Sequence, residues 1–414
     1  MKRRDFLVQG GAFGLPLQAE AMAQAGPRYT GRPQLKITDI QATLVGVVGR
    51  NLCFVKVLTD QGIHGWGEAY SVGPDEATVA VIRDFKLWLV GQDPRNIEYL
   101  WATMYNFTRF PGGAVIDAAI SGIEHALWDI AGKAAGLPVH MLLGGKCRER
   151  VRVYQSAGGA TPRELAESAQ RLIQKYGYTA IKMAPHPPRS QSMPYNAVTR
   201  AAAQRSEAVR NAVGPDIDLA FDAHATLFEP IRALQMAEAL KPVRPFWLEE
   251  PLRMENMDAL AALKHKAEIP IATGECLYTK YDFRQILEKQ CADIIQPDIA
   301  LAGGVMEQKK IAAMAEAHYV VMAPHNPMGP LATMVNVHFA ASTPNFLILE
   351  YHPDDEAPRK DLIRDPILVK DGYLPIPDKP GWGYEVNEEA FKHYPPKPWH
   401  RDFAYRADGA PDFI

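Results

Sequence analysis

Three carboxylates and a histidine recur at near-equal intervals through the second half of the chain. They are Asp222 in FDAHA, Glu249 in WLEEP, Glu275 in TGECL and His325 in APHNP. Each follows an apolar, strand-like run, and their separations are 27, 26 and 50 residues, with Asp298 of QPDI inside the last interval. Carboxylate oxygens suit a hard divalent cation, whereas zinc prefers nitrogen or sulfur. The three acids therefore predict a Mg2+ site.

The spacing also indicates the fold that would bring these side chains together. About 250 residues make the eight strand–helix units of a (β/α)8 barrel, and its strands deliver their C-terminal ends to one face. From about residue 151, short apolar strands alternate with amphipathic helices, the pattern of a parallel array. Eight candidate strands end near Gln155, Lys182, Asp222, Glu249, Glu275, Asp298, His325 and Glu350. We therefore predict an α/β fold, a modified TIM barrel of seven or eight units.

The region before the barrel has a different pattern. Residues 52–58 and 63–67 look like antiparallel strands joined by the turn Thr59-Asp60-Gln61-Gly62. Residues 118–135 carry apolar side chains at helical spacing, and Gly136-Leu137-Pro138 follows as a helix stop. An N-terminal α+β domain is therefore expected to precede the barrel.

The composition excludes several classes of protein. The 414 residues are 47% hydrophobic and 22% charged, with a formal net charge of −3, which is typical of a soluble enzyme with two or more domains. No run of eighteen apolar residues occurs, so no membrane span is predicted. The chain has no basic cluster, so a nucleic-acid partner is not expected either.

The N-terminus resembles an export signal. Lys2, Arg3 and Arg4 precede Phe6-Leu7-Val8 and a mildly apolar stretch that ends in small residues near Ala25. The pair Arg3-Arg4 followed by Asp5-Phe6-Leu7 resembles the twin-arginine motif. We predict a signal peptide over residues 1–25 and a periplasmic or exported protein, the alternative being an ordinary basic terminus on a cytoplasmic protein.

Four cysteines have no paired spacing that would indicate a disulfide framework. They are Cys53, Cys147, Cys276 and Cys291. All are expected to be buried thiols, and Cys276 is expected to point away from its neighbour Glu275 because side chains alternate across a strand. An oxidising compartment leaves pairing open.

Taken in order, the motifs resemble the enolase superfamily, and within it the sugar-acid dehydratases of the galactonate dehydratase type. The resemblance spans nearly the whole mature chain. It rests on the hairpin at 62–68, IEHALWDIAGKAAGLPVHMLLGG at 123–145, the DxH of Asp222 and His224, LEEP, GECLY, QPD, AGG at 302–304 and PHNPMGP. It implies that residues 34–150 cap the barrel of residues 151–378, and that residues 379–414 close the cap. It also implies a homo-oligomer.

The resemblance assigns roles to the candidate site residues. His325, oriented by Asp298, would remove the proton alpha to a carboxylate, and Mg2+ on Asp222, Glu249 and Glu275 would stabilise the resulting enediolate. Two residues after Asp222 on an extended strand, His224 should face the same side and act as the general acid for a departing beta-hydroxyl.

Lys182 and Glu350 are the remaining candidates. Lys182 either adds a fixed cation on the substrate carboxylate or pairs with the metal carboxylates. Glu350 either donates a hydrogen bond, kept protonated by a raised pKa, or is a plain rim carboxylate.

The sequence also departs from its relatives. A racemase of this superfamily would normally have a second lysine where this chain has Ala184, and Cys276 replaces a usual basic residue. The eighth strand reads Leu349-Glu350-Tyr351-His352. We therefore expect a Mg2+-dependent dehydratase of a galactonate-like sugar acid that yields a 2-keto-3-deoxy acid. The alternatives are a racemase or epimerase of a hydroxy acid, and a non-catalytic exported sugar-acid binding protein.

Overall fold

A computed structural model describes residues 34–47, 49–398 and 404–412. The predicted signal peptide, residues 1–25, lies outside these ranges, so the leader and the export that it implies stay predictions. Among the described residues, no helix is both long enough and apolar enough to cross a membrane.

The N-terminal region is a three-stranded antiparallel sheet covered by helices. The strands, in spatial order, are β1 (Ile37–Val47), β2 (Arg50–Thr59) and β3 (His64–Ala69). The helices are α1 (Asp75–Leu89), α2 (Ile97–Tyr105), α3 (Ala114–Ala135) and the short α4 (Val139–Leu142). This is the predicted α+β domain.

Two glycines let α3 lie directly against β3. A Cβ at Gly65 would be 2.0 Å from the carbonyl oxygen of Ala126, and one at Gly67 would be 1.9 Å from that of Gly122. Both distances are far inside van der Waals contact, so only glycine permits this approach of helix to sheet. The Gly-x-Gly spacing on β3 therefore sets how closely the domain's main helix packs.

Eight parallel strands curl into the predicted modified barrel, and strand β11 returns to pair with β4. The strands are β4 (Arg150–Ser156), β5 (Ala180–Met183), β6 (Asp218–Asp222), β7 (Trp247–Glu249), β8 (Ile271–Thr273), β9 (Ile294–Ile295), β10 (Val321–Met322) and β11 (Leu349–Glu350). A parallel bridge between Met322 and Phe346 brings β10 beside the segment that leads into β11. The main helices between strands are α5 (Pro162–Tyr176), α6 (Tyr195–Val213), α7 (Pro230–Leu240), α8 (Met257–Lys266), α9 (Thr279–Glu288), α10 (Val305–Ala317) and α11 (Pro330–Ala341).

A layer of buried side chains, one from each strand or its immediate flank, fills the barrel. Its members are Tyr154, Ala180, Ala220, Trp247, Ala272, Ile294, Ala323 and Ile348. Since side chains alternate along a strand, the residue two positions later faces the same interior, nearer the C-terminal end. That rule places Lys182, Asp222, Glu249, Gln296, His325 and Glu350 in one ring at the mouth.

After the barrel the chain returns to the N-terminal domain. Strand β12 (Ile363–Arg364) pairs with β14 (Glu385–Val386), β13 (Tyr373–Pro375) pairs with β4, and α12 (Glu388–Phe391) follows. Trp382 is the anchor of this segment. Its backbone N–H donates to Asp129 of α3, and its indole N–H donates to the carbonyls of Trp66 and His125.

Two buried glutamates of the N-terminal domain tie it to helices of the barrel. Glu124 of α3 accepts hydrogen bonds from the backbone N–H groups of Val305 and Met306, the first residues of α10. Glu68 of β3 accepts from the N–H groups of Gly329 and Ala332 at the start of α11. Helix N-termini carry unpaired donors and partial positive charge, so they favour carboxylates. These contacts fix the domain above the C-terminal face of the barrel.

We expect Gly381→Ala to destabilise the protein more than Gly136→Ala. Both glycines have left-handed φ values, +71° and +68°, so alanine costs about 1–2 kcal/mol of backbone strain at each. A Cβ at Gly381 would also lie 2.1 Å from Asp129 Oδ1, whereas a Cβ at Gly136 meets no atom within 4 Å. The clash adds about 1–3 kcal/mol. Equal losses in the free energy of unfolding, measured by denaturant titration, would contradict this account of the anchor.

Candidate active site

The three predicted metal ligands converge at the mouth of the barrel. Asp222 and Glu249 end adjacent strands and pair in register, and both are almost fully buried. Glu275 follows β8 by two residues, and its side chain is 14% exposed. One oxygen from each of the three carboxylates lies within 4.8 Å of the other two.

The donor set fits a divalent cation. Glu275 Oε2 is buried and accepts no hydrogen bond from any residue that the structure describes. Buried carboxylate oxygens are normally paired, so this orphaned oxygen indicates a missing positive partner. Three carboxylates with no nitrogen or thiolate among them suit Mg2+ better than zinc.

Glu275 reaches the site by a change of register. The alternation that places Glu249 inside the barrel would select residue 274, not residue 275. Gly274 has a φ of +126°, a conformation that favours glycine, and a Cβ there would be 2.8 Å from the ring of Phe283. The glycine therefore turns the chain so that Glu275 joins the interior ring.

Lys182 is the buried cation among these acids. Its Nζ lies 2.7 Å from Glu249 Oε1, 3.1 Å from Asp222 Oδ2 and 3.0 Å from Glu350 Oε1. Burial alone would lower the pKa of Lys182, but the three carboxylates outweigh burial and hold it well above its usual range. In the structure the lysine is paired with the carboxylates of the predicted metal site, and its role toward a substrate carboxylate stays a prediction.

Crowding of the carboxylates shifts their pKa values in opposite directions. Burial and then the charge of Asp222 raise the pKa of Glu249 to about 8. Burial would also raise the pKa of Glu350, but Lys182 and His325 outweigh it and hold the value below its usual range. The side chain of Glu350 is 4% exposed, so it is buried rather than on the rim, and its role as a hydrogen-bond donor stays a prediction.

His325 and Asp298 form the predicted dyad geometry. Nδ1 of His325 lies 2.8 Å from Asp298 Oδ2, while Nε2 points into the site, 3.6 Å from Glu275 and 3.9 Å from Glu350. Asp298 also accepts from the backbone N–H of Ala300, which fixes its carboxylate. Burial acts to lower the pKa of His325, but Glu275, Asp298 and Glu350 outweigh it and raise the value to about 10.

His224 faces the site for a different reason than predicted. Strand β6 ends at Asp222, and His224 has a φ of +47°, so it lies in a left-handed turn rather than on an extended strand. The backbone N–H of His224 donates to Asp222 Oδ1, and its Nε2 lies 3.2 Å from Asp222 Oδ2. The side chain is 57% exposed toward the mouth, within reach of a bound molecule.

Some residues at the site were not predicted from the sequence. Glu249 Oε2 accepts from Gln296 Nε2 and Trp247 Nε1, both at 2.9 Å, so two neutral donors orient this carboxylate. The two-residue alternation after Ile294 would have found Gln296. The ring of Tyr70, from the N-terminal domain, lies 6.1 Å from that of His325, and sequence pattern gives no signal for this contact.

The predicted burial of the cysteines is wrong at two positions. Cys53 and Cys291 are buried, but Cys147 and Cys276 are exposed, and all four are free thiols. Cys276 lies beside Glu275 and Glu250 rather than pointing away. The turn at Gly274 explains this, because strand alternation no longer applies beyond it.

A cavity of about 510 Å³ opens on the His224 side of the site. Its charged lining residues are Glu250, Arg253, Glu255, Glu275 and Asp282. Arg253 is paired with Glu255 at 2.5 Å. Burial and then Glu275 raise the pKa of Glu250 well above its usual range. This side of the site is therefore acidic.

Comparison with known proteins places these features in a family. Residues 164–390 match the model described as enolase C-terminal domain-like. Residues 29–144 match the N-terminal domain of mandelate racemase and muconate lactonizing enzyme. Together the two matched regions include the N-terminal domain and nearly all of the barrel.

Individual relatives are similar along most of their length. The D-galactonate dehydratase of Variovorax paradoxus is 38% identical over 367 residues, 86% of this chain and 95% of that protein. The D-xylonate dehydratase of Haloferax volcanii is 37% identical over 386 residues, 90% and 92% of the two chains.

A solved structure shares the whole architecture. An enolase from Agrobacterium radiobacter, provisionally named a galactarate dehydratase and solved with sodium and L-malate, is 40% identical with a TM-score of 0.88. It is matched over 92% of this chain and 100% of its own. This chain therefore belongs to the mandelate racemase and muconate lactonizing enzyme family of the enolase superfamily.

Proposed function

We propose that this protein is a Mg2+-dependent dehydratase of sugar acids that converts them to 2-keto-3-deoxy acids. The observation that carries the proposal is the joint placement of two histidines around one carboxylate cluster. His325 follows β10 and His224 follows β6, which are four strands apart in a ring of eight. A base and an acid on either side of one bound molecule can remove the alpha proton and protonate the departing hydroxyl, which together eliminate water.

His325 is the proposed base. In the neutral ring, which the positive charge of a bound cation would favour, Nδ1–H donates to Asp298 and the Nε2 lone pair is directed into the site to take the proton alpha to the substrate carboxylate. Asp298 accepts from the imidazolium that then forms and so stabilises it.

His224 is the proposed acid. Its exposure toward the mouth lets it reach a beta-hydroxyl, and its Nε2 lies 3.2 Å from Asp222 Oδ2. Loss of the hydroxyl as water leaves an enol, which becomes the ketone by taking a proton at the third carbon.

Asp222, Glu249 and Glu275 are the proposed Mg2+ ligands. When bound, the ion supplies the positive charge that offsets the crowded carboxylates around His325 and stabilises the enediolate oxygens. Lys182 adds a second fixed positive charge on the same side, while Gln296 and Trp247 keep Glu249 in place.

The names of the relatives support the substrate class, since galactonate, xylonate and galactarate are polyhydroxy acids of five or six carbons. An epimerase would need a second base opposite His325, and the second-lysine position is Ala184. His224 occupies the opposite side and suits proton donation to a leaving group. The predicted oligomer stays a prediction.

We expect Mg2+ to stabilise the protein through the three carboxylates. At a free concentration of about 100 times Kd, binding to the folded state alone adds about 2.7 kcal/mol to the free energy of unfolding. Thermal unfolding after EDTA treatment, with and without added Mg2+, measures the effect. Glu275→Gln should remove most of it, while Glu238→Gln on the exposed face of α7 should not. Equal stabilisation of both variants would place the ion elsewhere.

We expect His325→Asn to lower the rate of keto-acid formation by about 10²- to 10⁴-fold, the usual contribution of a general base. The measurement is a Mg2+-supplemented screen of C4 to C6 sugar acids with detection of 2-keto-3-deoxy products. His318→Asn, at an exposed position after α10, is the matched control. Undiminished product formation by His325→Asn would exclude this base.

We expect His224→Asn to separate proton abstraction from water loss. Asparagine cannot donate the proton that the leaving hydroxyl needs, so product formation should fall by about 10²- to 10⁴-fold. His325 remains, so exchange of the alpha proton in deuterium oxide should continue. Mass spectrometry of recovered substrate follows the exchange, with His265→Asn on α8 as control. Loss of exchange and product together would make His224 part of the proton-abstraction step instead.

A further inference from the structure

A second cavity, of about 610 Å³, adjoins the site on the side of β11. It lies between the β1–β2 end of the N-terminal domain and the loops that follow His325 and Glu350. Its lining residues nearest these elements are Val47, Arg50, Pro327 and His352. Pro327 comes two residues after the proposed base and His352 two residues after Glu350, so the loops that leave the site at these two residues form one wall of the cavity.

This cavity is richer in cations than the cavity on the His224 side. Its ionised lining residues are Arg50, Arg171, Lys175 and Arg359 against Asp355 and Glu356. Lys175 pairs with both acids, at 3.0 Å and 3.5 Å. Arg359 pairs with Asp354 at 2.8 Å. Cations outnumber acids in the lining, so a negatively charged group would be attracted to this cavity.

Arg50 is a half-buried cation of this wall whose guanidinium N–H donors are not taken up by a carboxylate of the described residues. It begins β2, is half-buried, and within the described residues makes no ion pair. The side-chain contact that the structure gives it is from Nη1 to the sulfur of Met328 at 3.4 Å, and a thioether is a weak acceptor. A guanidinium has five N–H donors in a planar fork that matches a carboxylate.

Arg50 is also near the proposed chemistry. Its contact residue Met328 comes three residues after His325. Arg50 also lines the same cavity as Pro327 and His352. Burial lowers the pKa of His352 to about 4, so at neutral pH its ring offers one N–H donor and one acceptor, which suits a hydroxyl group.

We infer that this cavity is the subsite for the distal end of the substrate, and that Arg50 binds a second, terminal carboxylate there. The preferred substrate is then a six-carbon polyhydroxy dicarboxylate, an aldarate, rather than the aldonate of the same configuration. One carboxylate lies at the metal ligands and Lys182, and the other accepts hydrogen bonds from the guanidinium of Arg50. This inference rests on the proposed function for the position of the reacting end.

The test compares matched pairs of acids that differ only at C6, each aldarate with the aldonate of the same configuration at C2 to C5. Binding is measured by calorimetry with Mg2+ in the His325→Asn protein, which holds the acid without turning it over. Turnover is measured separately in the protein with His325 intact. The variants are Arg50→Met, which removes the charge at similar length, and Arg50→Lys, which keeps it. Arg83→Met, an exposed arginine on α1, is the control.

The expected result is at least about tenfold tighter binding of one aldarate than of its aldonate, the size of a hydrogen bond to a charged group. Arg50→Met should weaken the aldarate by about 10- to 100-fold and leave the aldonate within about threefold. Arg50→Lys should restore part of the difference, and Arg83→Met should change neither affinity. Retained thermal midpoints show that the variants are folded.

Other outcomes overturn the inference in identifiable ways. Equal binding of aldarate and aldonate, or equal weakening of both by Arg50→Met, excludes a carboxylate at Arg50. Loss of the preference in Arg171→Met but not in Arg50→Met would move anion recognition to the exposed rim. If aldonates are turned over and neither acid is preferred, the Arg50 subsite is excluded but the proposed dehydratase activity stands. If an aldarate binds through Arg50 but no keto product forms, the subsite stands and the dehydratase activity is excluded.

Discussion

The repulsion among buried carboxylates at one end of the barrel is the constraint on which the rest of the structure depends. Asp222, Glu249, Glu275 and Glu350 share one interior, and Lys182 is the cation that lies among them. Charges this close interact strongly where water is excluded, so the cluster would separate unless the backbone held it. Strand pairing holds it, because each acid ends or closely follows a strand of one continuous sheet. The repulsion between these like charges is also the physical reason for proposing a divalent ion at this site.

Buried carboxylates also fix the N-terminal domain, but here they accept hydrogen bonds from helix N-termini instead of crowding together. Glu68 and Glu124 are as buried as the ring carboxylates, yet each accepts backbone N–H groups at a helix start. Those helices, α11 and α10, follow directly the segments that carry His325 and Asp298. The domain is thus attached at the two loops that position the proposed base. A shift of the domain would therefore disturb the loops that position His325 and Asp298.

Much of this was predictable from spacing, because a barrel repeats one unit and alternation repeats every two residues. The ring residues Lys182, Asp222, Glu249, His325 and Glu350 follow from those two periods. The prediction from strand alternation failed at two positions where one residue has an unusual backbone conformation. A positive φ at Gly274 brought Glu275 and Cys276 to the mouth, and a positive φ at His224 replaced a strand by a turn. Neither conformation produces a periodic pattern in the sequence. The net pKa of Glu350 depends on which charge lies nearest, which needs coordinates.

The barrel interior has little capacity left to distinguish one sugar acid from another. Lys182 is engaged by three carboxylates, and Gln296 is engaged by Glu249. These groups serve the end of the substrate that all such acids share. Discrimination has to come from donors that are not committed to the ring, and those lie on the N-terminal domain and on the loop after β11. Arg50 and His352 meet that condition because they line the cavity on the β11 side without belonging to the ring. The architecture therefore separates the residues that would perform the reaction from the residues that would choose the molecule.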